Sequence, residues 1–133
     1  MIVGCSSNEE KKASHFSKGQ SYLAKGEYKS AELEFRNAIQ IDPEFVDAYE
    51  QLGETYLKLG DMRGAFKEYS MVAKLDPENT NATLKLATFY LLAKQTDESR
   101  KNVEAVLEKD PDNIEALFLM AGIYDMEKNL FEA

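Results

Sequence analysis

Three Asp-Pro dipeptides at a fixed interval constrain the fold of this chain more than any other feature of the sequence. They are Asp42-Pro43, Asp76-Pro77 and Asp110-Pro111, which are equally spaced and contain every proline. The residue before a proline is disfavoured in the helical region of the backbone, so each dipeptide predicts the end of a helix. Three such ends at one interval divide the chain into units of equal length, a pattern typical of repeat proteins.

Other positions follow the same interval. A tyrosine recurs in four consecutive units, and a small residue stands three positions before each tyrosine. The tyrosines are Tyr22, Tyr56, Tyr90 and Tyr124, and the small residues are Gly19, Gly53, Ala87 and Ala121. Because several independent positions share one register, the sequence predicts packed helical repeats. The small residues are expected where two helices cross.

These residues resemble the tetratricopeptide repeat, a helix–turn–helix unit of about 34 residues. The second unit matches the family pattern best, at Leu52-Gly53, Tyr56, Ala65, Tyr69 and Pro77. The resemblance implies an all-α fold, namely a right-handed superhelical solenoid of antiparallel helix pairs with about three and a half repeats.

The resemblance also divides the chain into a flexible N-terminal tether over residues 1–11 and a repeat array over residues 12–133. The repeats are expected at about 12–45, 46–79 and 80–113, with a partial repeat at 114–133. Because the chain stops inside the fourth unit, we expect it to be a fragment of a longer array. The alternative is that another chain covers the open end.

Glycine marks the turn inside the first two helix pairs. Gly26 and Gly60 are predicted to end the first helix of each pair, because glycine accepts the positive φ of a helix C-terminus. Lys94 and Lys128 occupy the same place in the last two pairs. Those turns are expected to need other chemistry.

The charge and cysteine content exclude several classes of function. The formal net charge is −8, which argues against general nucleic-acid binding, because that activity requires clusters of Lys and Arg. It also argues against a basic patch on an anionic membrane. One cysteine excludes an internal disulfide and a cysteine-based metal cluster.

The start of the chain resembles the lipobox of bacterial lipoproteins, in which a lipidated cysteine follows small and aliphatic residues. The matching residues are Ile2-Val3-Gly4-Cys5, and a polar stretch from Ser6 to Lys12 follows them. The resemblance implies lipidation at Cys5 and a bacterial cell-envelope protein that faces the periplasm. The basic start and apolar run of a signal peptide are missing, so we expect a trimmed leader. The alternatives are an incidental cysteine and a cytoplasmic protein.

The sequence predicts no enzyme and no cofactor. His15 is the only histidine and Cys5 the only thiol, and a triad needs a nucleophile, a base and an orienting group. His15 occupies a family position that packs an aromatic residue, so a packing role is expected. The recurring Asp42, Asp76 and Asp110 are too widely spread to form one metal site. We therefore predict no catalytic, cofactor-binding or metal-binding residues.

A binding surface remains. In the family that the chain resembles, the first helix of each pair lines a concave groove that holds a peptide or partner protein. The resemblance places these residues in that groove: Gln20, Asp47, Glu50, Gln51, Glu54, Lys58, Asn81, Leu84, Lys85, Thr88, Phe118 and Leu119. The groove is acidic in the second unit and more apolar later, which favours a ligand with basic and apolar character. The alternative is a solvated charged face, with leucines that pack on a neighbour missing from this chain.

One subclass of the family holds a C-terminal carboxylate in a clamp of lysines and asparagines. The matching positions here are Phe16, Gln20, Gln51, Asn81 and Lys85. Only Lys85 has the required charge, and Glu50 and Glu54 would repel a carboxylate. A carboxylate clamp is therefore not expected.

The predicted function is a non-enzymatic scaffold or adaptor that binds a protein or peptide partner. With the lipobox-like start, we expect a repeat lipoprotein that serves assembly, secretion or export in the bacterial envelope, with membrane contact only through the anchor at Cys5. The alternatives are a structural module that self-associates as a homo-oligomer, and the interaction domain of a larger cytoplasmic protein.

Overall fold

The computed structural model describes the backbone of residues 3–132 and the side chains of residues 7–132. Within this part of the chain every regular element is an α-helix, which confirms the predicted all-α repeat fold. The helices are α1 (Val3–Ala24), α2 (Tyr28–Ile41), α3 (Val46–Leu59), α4 (Met62–Leu75), α5 (Thr80–Leu92), α6 (Thr96–Lys109) and α7 (Ile114–Glu132). They form two compact units, unit 1 (Met1–Pro77) and unit 2 (Glu78–Ala133).

The three Asp-Pro dipeptides end helices, as predicted. Asp42, Asp76 and Asp110 are the C-cap residues of α2, α4 and α6. Their backbone N–H groups still donate to the carbonyl four residues earlier, at 3.0, 2.8 and 2.9 Å. The proline that follows cannot donate, so the helical ladder stops there.

The turns inside the helix pairs share one backbone conformation. Gly26 and Gly60 have φ values of 78° and 77°, which confirms their predicted role. Lys94 adopts φ 60° in the third pair, so this turn uses the same left-handed conformation with a side chain attached. The turn predicted at Lys128 is absent, and α7 continues through this residue. No glycine or proline follows in residues 126–132 to end the helix.

Asparagine and aspartate side chains begin three helices. Asn79 accepts a hydrogen bond from the Ala82 N–H at 2.8 Å, and Asn113 accepts one from the Ala116 N–H at 3.0 Å. Asp61 does the same for the Gly64 N–H at 2.8 Å. These contacts satisfy N–H groups that have no acceptor within the helix.

The first helix is longer than the sequence predicts. Residues 3–11, expected to be a flexible tether, belong to α1, which begins at Val3. Residues 9–13 read Glu-Glu-Lys-Lys-Ala, and all of these are strong helix formers, so nothing local stops the helix before them. The side chain of Cys5, the predicted lipidation site, lies outside the described residues.

Close helix contacts in unit 1 depend on small residues. A Cβ atom at Gly19 would lie 2.6 Å from Phe35 Cε1, and one at Gly53 would lie 2.9 Å from Tyr69 Cε2. Both aromatic rings are fully buried. The predicted role of the small residues at helix crossings is therefore confirmed in this unit.

Unit 2 has its own core, in which α5 packs against both α6 and α7. The buried residues that form it are Leu84, Ala87, Val103, Val106, Ala116, Leu119 and Ile123. Ser99 occupies the repeat position that Ala31 and Ala65 hold in the first two units. It is fully buried, and its hydroxyl donates to the Ala87 carbonyl at 2.8 Å. The polar atom is thus satisfied without disturbing the helix contact.

Candidate peptide-binding surface

The predicted groove residues of unit 1 lie on α1 and α3. Gln20, on α1, is exposed. On α3, Asp47 and Lys58 are exposed, whereas Glu50, Gln51 and Glu54 are half-buried. We call these six residues the α1/α3 surface. Three of them are carboxylates spaced three and four positions apart, so they share one side of α3.

The acidic charge of this surface is held against the buried ring of Tyr69 on α4. Burial raises the pKa of the Tyr69 hydroxyl well above its usual value, and the charges of Glu54 and Glu50 and a hydrogen bond to Glu54 raise that pKa further. Glu54 also lies 3.8 Å from Lys58 Nζ. Tyr69 and Lys58 therefore hold Glu54 in position, and the single Lys58 offsets only part of the negative charge of the surface.

In unit 2 the predicted residues divide into accessible and buried sets. Asn81 is exposed, and Lys85 and Thr88 are half-buried; the Thr88 hydroxyl donates to the Leu84 carbonyl at 2.9 Å. Leu84 and Leu119, predicted to line the groove, are only 3% and 8% exposed. Both belong to the core of unit 2, because α7 covers α5 on that side. They do not contribute to an accessible surface.

Exposed apolar side chains in unit 2 are concentrated on α7. Phe118, a predicted groove residue, is 79% exposed, and Ile114 is 84% exposed. Leu117, between them in sequence, is exposed as well. The exposed residues of α7 in unit 2 are thus apolar, whereas the α1/α3 surface of unit 1 carries carboxylates.

The positions of a carboxylate clamp do not carry clamp chemistry. Phe16, at one of these positions, carries no charge, and its ring centroid lies 4.8 Å from that of Phe45 and 5.8 Å from that of Phe35. It is therefore part of the packing of unit 1. Beside Gln51, Glu50 and Glu54 place negative charge where a carboxylate ligand would need positive charge.

The surroundings of two polar side chains in unit 1, His15 and Glu68, were not predicted from the sequence. His15 does not simply pack, because its Nδ1 lies 2.6 Å from Glu34 Oε2. Glu68, on α4, is buried and lines a pocket. Glu34 and Glu68 occupy the same position in consecutive repeats, and this recurrence is the sequence feature that could have identified them. Only the packing shows that Glu68 is buried and Glu34 half-buried.

Among the described side chains, residues 7–132, there is no group of three or more His, Cys, Asp or Glu that could hold a metal ion. Within the same range no helix is both long and apolar enough to cross a membrane.

Helix pairs that recur at one fixed interval, with small residues at the crossings, define a helical-repeat protein. Two family models match the chain: a TPR repeat model over residues 19–60 and a tetratricopeptide repeat model over residues 60–121. The chain belongs to the tetratricopeptide-repeat family. Its members are protein–protein interaction modules, and the fold typically serves as a non-catalytic scaffold.

Several solved structures are similar to this chain in fold. A tetratricopeptide repeat protein from Parabacteroides merdae is 18% identical with a TM-score of 0.83, and the match covers 89% of this chain and 46% of that one. The MamA protein is 18% identical with a TM-score of 0.81, covering 88% and 64%. The second TPR domain of human RPAP3, solved in complex with the HSP70 peptide SGPTIEEVD, is 20% identical with a TM-score of 0.77, covering 88% and 98%. No curated protein matches the chain.

Proposed function

We propose that this chain is a non-enzymatic scaffold that binds a peptide or partner protein on its first helices, and that the bound segment carries basic and apolar side chains. The observation that supports this most directly is the row of carboxylates on α3. Asp47, Glu50 and Glu54 share one side of the helix, and Lys58 offsets only part of their charge.

Partial burial makes this row a better binding site than a solvated face. Charges that are shielded from water interact more strongly than fully exposed ones, because the local dielectric constant is lower. Glu50 and Glu54 are half-buried against Tyr69, so less of their rotational freedom remains to be lost when a ligand binds. A formal net charge of −8 also attracts basic ligands at long range.

The proposed specificity differs from that of the RPAP3 domain, whose HSP70 peptide ends in Glu-Glu-Val-Asp. In this chain Phe16 occupies a clamp position without a charge, and Glu50 and Glu54 lie close to Gln51 on the same helix. An acidic peptide end would meet negative charge there. A basic peptide would form ion pairs with these carboxylates instead. Within unit 2 considered by itself, exposed apolar residues such as Phe118 would suit apolar side chains.

Fluorescence anisotropy with defined peptides tests the proposal. The probes are a labelled peptide that alternates lysine and leucine, its glutamate–leucine counterpart, and SGPTIEEVD. We expect the basic peptide to bind at least roughly tenfold more tightly than both acidic ones, since each close ion pair contributes up to about 1 kcal/mol. Tighter binding of SGPTIEEVD would overturn the proposed specificity.

A matched pair of charge reversals locates the site. Glu50→Lys with Glu54→Lys should lower the affinity for the basic peptide by roughly tenfold or more, because two attractions become repulsions. Glu104→Lys with Glu108→Lys makes the same change of charge at the same spacing on exposed positions of α6, and should have a much smaller effect. Equal losses in the two variants would show that only the overall charge matters. Circular dichroism verifies that both variants are folded.

We also propose that the protein is a lipoprotein of the bacterial envelope that serves assembly, secretion or export. The supporting observation is the sequence Ile2-Val3-Gly4-Cys5, followed by polar residues. Expression of the natural gene in a bacterial host with an alkyne fatty-acid label tests this. We expect label on the native protein in the membrane fraction and none on Cys5→Ser. Unlabelled native protein in the soluble fraction would support a cytoplasmic protein instead.

Self-association is the second candidate function, and the exposed side chains of α7 favour it. Ile114, Phe118 and Phe131 are 84%, 79% and 95% exposed. Light scattering over a range of protein concentrations separates the two functions. A mass that rises with concentration in the native chain, and stays that of the monomer in Phe118→Ser with Phe131→Ser, would indicate self-association. A constant monomer mass would exclude it.

A further inference from the structure

Unit 1 contains a pocket of about 310 Å³ between its second helices α2 and α4. Ile39 of α2 and Met71 of α4 form its half-buried walls, and the buried Tyr49 and Leu52 of α3 lie beneath them. Most of this lining is apolar. On α3, Tyr49 and Leu52 point away from the carboxylate row, so the pocket lies on a different side of the unit from the α1/α3 surface.

One carboxylate lies inside this pocket. Glu68 is only 7% exposed, and none of the described residues donates a hydrogen bond to its side chain or lies within ion-pair distance of it. No fully buried side-chain oxygen or nitrogen of the described residues lacks a partner, so the Glu68 carboxylate still reaches water through the open pocket. A carboxylate with little access to water and no donor from the protein is nevertheless less favourable than an exposed one. A ligand group that donates hydrogen bonds to Glu68 would remove this cost.

The first repeat shows how the same position is satisfied elsewhere in the chain. Glu34 and Glu68 are one repeat length apart, as are His15 and Tyr49. In the first repeat, His15 Nδ1 lies 2.6 Å from Glu34 Oε2. In the second repeat the Tyr49 hydroxyl donates to the Pro43 carbonyl at 2.9 Å instead. The first carboxylate therefore has a nitrogen partner from its own chain, whereas the second faces an open pocket.

We propose that this pocket, the Glu68 pocket, receives a lysine or arginine side chain of a partner protein. The aliphatic stem lies along Ile39, Leu52 and Met71, and the charged head donates to the Glu68 carboxylate. Long side chains of this kind bury an apolar stem and carry a cationic end, which matches an apolar pocket with one internal carboxylate. The net charge of −8 favours the approach of a basic partner.

The cations at the edge of the pocket leave room for this ligand. Arg36 is already engaged, because its Nε donates to the Tyr56 hydroxyl at 3.1 Å and its guanidinium lies 3.2 Å from Glu32. Lys67 is exposed, and its flexible side chain is free to move into solvent. Lys67 competes with the incoming cation, so its removal should strengthen binding.

Nuclear magnetic resonance of the full chain tests the assignment. The probe is the peptide Ac-Gly-Leu-Lys-Leu-Gly-NH2, and its matched control replaces lysine with norleucine, which keeps the stem and removes the charge. We expect the lysine peptide to shift backbone amides in residues 36–39 of α2 and 67–71 of α4, and the norleucine peptide to shift them far less. Equal shifts from both peptides would overturn the proposed role of Glu68.

Variants complete the test. Glu68→Gln keeps the shape and removes the charge, and should weaken binding by at least about tenfold, since hydrogen bonds to charged groups are the stronger ones. Lys67→Ala should tighten binding about two- to threefold by removing a like charge. Glu104→Gln, on an exposed position of α6, should change nothing. Unchanged affinity in Glu68→Gln would refute the pocket.

The outcome also separates this inference from the peptide-binding proposal. Shifts confined to the amides of α1 and the carboxylate side of α3 would leave the α1/α3 surface supported and overturn the Glu68 pocket. Shifts confined to α2 and α4 that are abolished by Glu68→Gln would support the pocket, whatever the α1/α3 surface binds.

Discussion

Gly53 illustrates how a single missing side chain sets the distance between two helices. A Cβ atom there would lie 2.9 Å from Tyr69 Cε2, and the ring of Tyr69 is buried on all sides and cannot withdraw. Gly53→Ala should therefore destabilise the protein by about 1–3 kcal/mol, despite the better helix propensity of alanine. Urea unfolding followed by circular dichroism measures the change.

Gly122→Ala is the matched control, because it makes the same substitution inside α7. Its Cβ would lie 3.3 Å from Leu91 Cδ2, the end of a half-buried side chain that has room to turn. This variant should be neutral or more stable by up to about 1 kcal/mol. If both alanine variants were equally stabilised, the close contact at Gly53 would not limit the packing.

The Glu68 carboxyl couples the stability of unit 1 to pH. Burial raises its pKa, and the charges of Lys67 and Arg36 only partly oppose that rise. In the unfolded chain a glutamate titrates near 4.3. Because the folded pKa is the higher one, its contribution to stability is fully present below the unfolded pKa and is lost as pH rises through the folded pKa.

Glu68→Gln removes this titration and gives a testable difference. The free energy of unfolding of the variant should match that of the native chain at pH 4 and exceed it at pH 7 by up to about 1 kcal/mol, because the neutral amide has a smaller cost of burial than the ionised carboxylate. Urea unfolding at the two pH values provides the comparison, and acidic groups common to both proteins cancel. Glu104→Gln, which removes an exposed carboxylate, should show no such pH-dependent gain. A gain of equal size at pH 4 would contradict the argument.

At the scale of the helix, local sequence features predicted where helices end better than how far a helix extends. Asp42, Asp76 and Asp110 end helices because the proline beside each one acts through the backbone alone. The helical extension of α1 to Val3 has no such signal, since helix formers there allow a helix without requiring one. The burial of Leu84 was equally inaccessible, because it depends on α7 packing against a distant stretch of the chain.

Lys94 and Lys128 test how far repeat register controls helix ends. They occupy equivalent positions in consecutive repeats, yet Lys94 turns the chain at φ 60° and Lys128 lies inside α7. Lys94→Gly should stabilise the protein by roughly 0.5–1 kcal/mol, because glycine adopts the left-handed conformation without the side-chain penalty. Lys128→Gly should destabilise α7 by up to about 1 kcal/mol, as glycine does in a helix interior. Chemical unfolding of both variants measures the two signs, and equal signs would contradict the difference between the two helices.

At the scale of the whole molecule, the two candidate sites, the α1/α3 surface and the Glu68 pocket, are both acidic. They differ in how far the sequence alone predicts them. The α1/α3 surface could be predicted because its carboxylates follow helical spacing in the sequence. The Glu68 pocket could not, because its character depends on which donor the packing supplies. Glu34 is in hydrogen-bond contact with His15. At the equivalent place in the second repeat, the Tyr49 hydroxyl donates to the Pro43 carbonyl and not to Glu68. Repeat register therefore predicts where a residue lies more reliably than what it contacts.

The net charge of −8 sets the response of the whole molecule to salt. Exposed ion pairs such as Lys109 with Glu78 weaken in salt, but each contributes little, so screening of the overall repulsion should prevail. Raising NaCl from about 20 to 200 mM should increase the Tm by roughly 1–3 °C, corresponding to less than about 1 kcal/mol. Glu104→Lys with Glu108→Lys reduces the negative charge, since each substitution adds two positive units, and should show a smaller rise in Tm. A Tm that falls with salt in the native chain would mean that its ion pairs outweigh the self-repulsion of its carboxylates.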